Sequence, residues 1–161
     1  MNQSPFKFAV LACIVVLVGL LQSTELLAWG GVKPNVVLAL LVSASFFVYH
    51  VRDYVVLTLL GALALRFSDL FVPELGVLVA LLVIIFAIGA RLPGKPFVNN
   101  LFLIGGATFL FYVILDYTTL RTSWGVFFVE LVYNLVAGTV WFGLGRIWFL
   151  DAYEKKLRTR I

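Results

Sequence analysis

The chain has 161 residues, of which 63% are hydrophobic and 12% charged, with a formal net charge of +4 and a mean hydropathy of +1.09. An ordinary soluble domain is ~45–50% apolar, so this composition excludes one and points to an all-α integral membrane protein, since an open sheet would leave backbone groups unpaired in lipid. The basic residues fall in short loops and in the C-terminal tail, which fits membrane orientation and argues against a nucleic-acid partner.

A short polar lead precedes Lys7 and the apolar run from Phe8 to Leu21, which ends at Gln22-Ser23-Thr24-Glu25. A signal peptide looks similar, but no small-x-small cleavage site closes the run and apolar character resumes at Leu26-Leu27-Ala28-Trp29, so the first span is read as uncleaved, over 6–27. Cys13, the single cysteine, lies inside this run and reads as packing; no disulfide framework or Cys-based metal site is available to the chain.

The second span, 34–51, is introduced by Gly30-Gly31 and by Lys33-Pro34-Asn35. Lys33 suits headgroup level, Pro34 is tolerated in a first turn with no amide partner to lose, and Asn35 is suited to cap the helix start. His50-Val51-Arg52-Asp53 makes a tight charged turn. The third span, 54–72, has an apolar part cut by Arg66 and Asp69, which leaves it short for a hydrocarbon core of ~30 Å and predicts a protein-facing end.

The fourth span covers 75–90 and stops at Arg91-Leu92-Pro93-Gly94-Lys95-Pro96, where two prolines and a glycine exclude a helix. The fifth, 98–115, carries Asn99-Asn100 at its start and exits through Asp116, Thr118, Thr119 and Arg121. The sixth, 124–150, contains Glu130, Asn134 and Arg146 and leads to a charged tail, 151–161.

These features predict one transmembrane domain, a six-span helical bundle, with 151–161 as a cytoplasmic tail. Six spans place both termini on one side, and that side collects Lys7, Arg52, Arg91, Lys95, Arg146, Lys155, Lys156, Arg158 and Arg160 against Lys33, Arg66 and Arg121. The bias predicts that both termini lie in the cytoplasm. Trp29 and Trp124 then belong to the outer aromatic belt and Trp148 to the inner one.

Ionisable and amide residues at membrane depth are the candidates for function, because their desolvation must be offset by a partner or by water. Glu130 and Asn134 are four apart and share a helix face, where a neutral Glu130 can hydrogen-bond the amide. They serve either as a contact to a substrate or partner, or as an interhelical bond that holds the bundle. Arg66 and Asp69 are three apart and can pair, which structure alone would explain. Asp116 reads as a helix end at the outer boundary.

His50 is the only histidine and sits beside Arg52 and Asp53, so a solvated turn is favoured over a proton relay, and no serine has a histidine to activate it. No phosphate loop, zinc spacing or cofactor box is present, and neither enzyme activity nor a cofactor is expected. Small residues spaced by four, Ala9 with Cys13, Gly19 with Ser23, Ala39 with Ser43 and Ala64 with Ser68, permit close helix approach.

The order of these features resembles the rod-shape-determining protein MreD family of bacteria. The resemblance rests on Lys33-Pro34-Asn35 before the second span, Gly61 followed by Asp69, Leu75-Gly76 opening the fourth span, and Glu130-Leu131-Val132-Tyr133-Asn134-Leu135 near the end, and it covers nearly the whole chain. It implies a non-catalytic scaffold of the cell-elongation (peptidoglycan synthesis) machinery that docks an MreC-type bitopic protein and works near a peptidoglycan polymerase and its transpeptidase. It also implies a fold similar to the substrate-binding components of energy-coupling-factor transporters. The chain departs from the family's usual look at Arg66 and in its charged tail. The residues of interest for partner or ligand contact are Pro34, Asn35, Arg66, Asp69, Glu130 and Asn134. The alternative function is a substrate-binding component of a vitamin-type transporter, with outer-side polar groups near Glu25, Arg66, Asp69, Asp116 and Arg121 lining a pocket.

Overall fold

A computed structural model describes residues 5–28, 30–65, 72–89 and 91–149. Within them the elements are helical: α1 (Pro5–Ser23), α2 (Val36–Ala44), α3 (Val51–Leu65), α4 (Val72–Gly89), α5 (Pro96–Leu115), α6 (Tyr117–Thr122) and α7 (Trp124–Trp148), with a 3₁₀ turn at Glu25–Leu27. Three of them, α1, α5 and α7, are long and apolar enough to cross a membrane. At ~1.5 Å per residue, the 20 residues of α5 match a hydrocarbon core of ~30 Å.

Apolar side chains cover the outside of the bundle as well as filling its core, and a set of polar side chains is buried. Leu17, Leu59, Ile84, Phe102, Ile114 and Val136 are exposed, whereas Gln22, Asn35, Ser43, Asn100, Thr108, Glu130 and Asn134 are buried. On α7 the buried stripe is Phe127, Glu130, Asn134, Gly138 and Phe142. An apolar surrounding favours that pattern, because lipid accepts leucine and valine readily and buried polar groups gain from partners inside; among the described residues Asn100 Oδ1 and Asn134 Oδ1 are the buried oxygens left without one.

The expected second span, 34–51, is helical only over Val36–Ala44, and this short helix is the hub of the fold. It touches α1, α3, α4, α5 and α7, and eight of its nine residues are buried. Gly30 (φ 61°) and Gly31 (φ 77°) occupy the left-handed region and turn the chain back before it. Asn35 then caps α2, its Oδ1 accepting from the Leu38 N–H at 3.1 Å. Gln22 of α1 completes the start: its Oε1 accepts from the Val37 N–H at 2.8 Å and its Nε2 donates to Asn35 Oδ1 at 3.3 Å.

At the other end of α2 the Ser45 N–H is shared between the carbonyls of Leu41 and Val42. The Ser45 hydroxyl donates to Val42 O at 2.7 Å, and the Tyr54 hydroxyl, reaching across from α3, donates to Leu41 O at 3.1 Å. Orphan amides and carbonyls at both ends are thus answered by side chains from neighbouring helices. Irregular backbone is tolerated on either side of α2 because protein encloses it.

Helices alternate in direction. The start of α1 meets the end of α7 where the Lys7 Nζ donates to Trp148 O at 3.0 Å. The end of α2 arrives at the same place, with the Phe47 and Phe149 rings stacked at 6.1 Å, and so does the start of α5, with Phe97 edge-on to Phe142 at 5.8 Å. This end of the bundle carries Lys7, Arg52, Arg91, Lys95 and Arg146, and the opposite end carries Lys33 and Arg121. Between the ends, α1 and α3 approach closely: a Cβ added at Gly19 would stand 2.5 Å from the Ala64 Cβ. Two of the small residues singled out in the sequence therefore face each other.

Candidate functional site: a polar seam between α5 and α7

Helix α5 presents Asn100, Ile104, Thr108 and Tyr112 at intervals of four, and α7 presents Glu130, Asn134, Gly138 and Phe142 at the same interval. Residues four apart share a helix face, so two antiparallel stripes meet in register. The Tyr112 hydroxyl donates to a Glu130 carboxyl oxygen. One turn further in, Asn134 Nδ2 donates to Thr108 Oγ1 at 3.1 Å. Below that, the Gly138 carbonyl accepts from Asn100 Nδ2 at 3.4 Å and from the Ser43 hydroxyl of α2 at 3.1 Å.

Glycine at 138 leaves room for the Ile104 side chain, whose Cδ1 a Cβ there would overlap. The seam is closed at its Tyr112 end by Tyr112, Leu120 and Phe127, with the Tyr112 and Phe127 rings edge-to-face at 5.4 Å. Leu120 comes from α6, which Asp116 starts by accepting from the Thr119 N–H at 3.1 Å. Asp116 also ends α5.

The named candidates divide into two groups with separate partners. Pro34 and Asn35 are buried at the start of α2, where Asn35 is held by Gln22 and by the helix it caps. Glu130 and Asn134 are brought together with Tyr112 and Thr108 in the seam. Arg66 and Asp69 lie outside the described residues, as do Trp29 and the tail 151–161. His50 is exposed in its turn, its ring edge-on to Tyr49 at 5.3 Å. Cys13 is exposed on the outer face of α1, away from the packing assigned to it from sequence.

Sequence reasoning missed Gln22, Asn100, Thr108, Tyr112 and Gly138. The signal for three of them was that Asn100, Thr108 and Tyr112, eight and then four residues apart, fall on one helix face, as Glu130, Asn134 and Gly138 do on the other helix. Gln22 carried no comparable pattern.

A second feature lies between α1, α2 and α7, a cavity of about 410 Å³ lined by Leu11, Ile14, Phe47, Trp141, Leu144 and Trp148 among others. Ser43 is the one side-chain hydroxyl in its wall, and that hydroxyl is already committed to Ala39 O and Gly138 O. Chemically, the seam holds helices together, and its titratable members, Glu130 and Tyr112, are bonded to each other. No family model, curated protein or solved structure matches this chain.

Proposed function

We propose that the protein is a membrane-embedded scaffold of the bacterial cell-elongation machinery, threading the inner membrane six times with both ends in the cytoplasm and docking an MreC-type bitopic protein beside a peptidoglycan polymerase and its transpeptidase. The observation that carries the reading is the use made of the interior polar groups. Gln22, Asn35, Ser43, Thr108, Glu130 and Asn134 each bond another part of the same bundle, and the cavity against α7 has apolar walls. Such an interior builds a rigid body with greasy outer faces, which suits holding other membrane helices. The likeness to the MreD family in Lys33-Pro34-Asn35 and Glu130 to Leu135 supplies the assignment to cell elongation.

The collection of Lys7, Arg52, Arg91, Lys95 and Arg146 at one end supports the orientation, because cytoplasmic loops are enriched in basic residues. Affinity purification of the tagged chain from native membranes in mild detergent tests the scaffold: an MreC-type protein and a cell-wall polymerase are expected to co-purify. Recovery of the chain without any cell-wall synthesis protein, together with a rise in Tm on adding a vitamin-type solute, would replace this reading with that of a carrier component.

A further inference from the structure

We propose that the cavity between α1 and α7 holds part of an acyl chain of an anionic phospholipid, with the lipid phosphate over Lys7. The cavity follows α7 from Trp141 to Phe149 and is floored by Leu40, Ala44 and Phe47 of the α2 segment. At ~1.5 Å per residue that stretch of α7 is ~12 Å long. Leu144, Ile147 and Trp148 are exposed along its rim, so it opens sideways to the surroundings of the bundle. An α-helix with its side chains is ~10–12 Å across and does not enter a recess of about 410 Å³, whereas a flexible hydrocarbon chain does.

The charge beside the cavity selects the headgroup. Lys7 Nζ donates to Trp148 O at 3.0 Å and stands 5.9 Å from the centre of the Phe149 ring, and both Trp148 and Phe149 line the cavity. An ammonium group has three donors, and the Trp148 carbonyl takes one, so a phosphate oxygen can take another from the same nitrogen. Arg146 lies in the same last turn of α7, and Arg52, Arg91 and Lys95 occupy the same end of the bundle. A phosphate held here thus meets basic groups directly at the end of an apolar slot, which matches the two halves of an anionic lipid.

This site rests on the membrane setting proposed above and not on any protein partner. Failure of the partner to co-purify leaves it standing, and loss of lipid selectivity leaves the scaffold standing.

The cavity contains its own reporters, Trp141 and Trp148. In the full chain carrying Trp29→Phe and Trp124→Phe, their fluorescence is titrated in micelles with phosphatidylglycerol or phosphatidylcholine brominated on the acyl chain. Saturable quenching is expected, half complete at about fivefold lower mole fraction for the glycerol lipid, the factor that one basic residue typically carries at an anionic surface. Lys7→Gln should remove that preference, while Lys7→Arg and the opposite-end control Lys33→Gln should keep it. Equal quenching by the two lipids, or a preference that survives Lys7→Gln, overturns the proposal. So does protection of both tryptophans from either lipid when a bitopic protein is bound, because the occupant is then a polypeptide.

Discussion

Tyr112 and Glu130 show how a single polar contact acts between buried side chains. Replacing Tyr112 by Phe removes the donor and leaves the buried carboxyl without it, a loss expected to cost about 1 kcal/mol, between the ~0.6 kcal/mol average for interhelical bonds in membranes and the ~1–3 kcal/mol of an orphaned buried group. Glu130→Gln keeps an acceptor and should cost less. Reversible unfolding in mixed micelles of both single variants and the double variant measures the coupling, and additive effects would show that the bond contributes nothing. Glycine offers a second contrast. Gly138→Ala should destabilise by about 1–3 kcal/mol because the new methyl overlaps Ile104. Gly106→Ala, at a position where a Cβ meets no atom within 4 Å, should stabilise by about 0.5–1 kcal/mol through helix propensity. The same unfolding experiment checks both signs. At this scale the sequence was partly legible. Glu130 and Asn134 stood out because charge and amide are rare in an apolar run, whereas Tyr112 and Gly138 look ordinary among 6 tyrosines and 13 glycines until a neighbouring helix gives them a role.

Helix α2 depends on residues outside itself at both ends. Asn35→Ala removes the cap acceptor for Leu38 N–H and the partner of Gln22 together, and the expected cost is about 1–2 kcal/mol, at the upper part of the range for caps. A Tm in detergent unchanged by Asn35→Ala would contradict this account of how α2 begins. The capping role was readable from Pro34-Asn35 before a valine run. What could not be read was the helix's early end at Ala44, because 36–49 carries no charged residue and hydropathy does not register backbone that leaves the helix inside a protein interior. Ser43 and Ser45 were the clue, since a serine hydroxyl can bond the carbonyls that a helix end leaves free. The six-residue helix α6 was missed for the opposite reason. Its polar residues, Thr118, Thr119 and Arg121, read as the exit from a span, although Asp116 before them is an ordinary helix start.

For the whole molecule, chain direction and charge agree. The alternation of α1 to α5 and then α7 brings residues near both described ends together, through Lys7 and Trp148. Fusing a reporter enzyme of known compartment to each terminus should give cytoplasmic signals for both, and a periplasmic signal from either would require an odd number of crossings. Charge reversal at the Lys7 end should weaken that orientation, since basic loops set it. What was legible of the plan is its all-helical character, with three helices long and apolar enough to cross a membrane, because apolar run length is a property of the chain alone. The seam was not, because it is a relation between α5 and α7 that only packing creates.

The brevity of α2 carries a consequence for biogenesis. Nine helical residues reach ~13 Å, less than half a bilayer, and the bent backbone on either side would expose bare peptide groups to lipid if the segment were inserted by itself. Its neighbour α7, whose Gly138 carbonyl receives Ser43, is translated nearly a hundred residues later. In a bilayer, the newborn chain would therefore have to keep this piece sheltered from lipid until the final helix arrives to close over it.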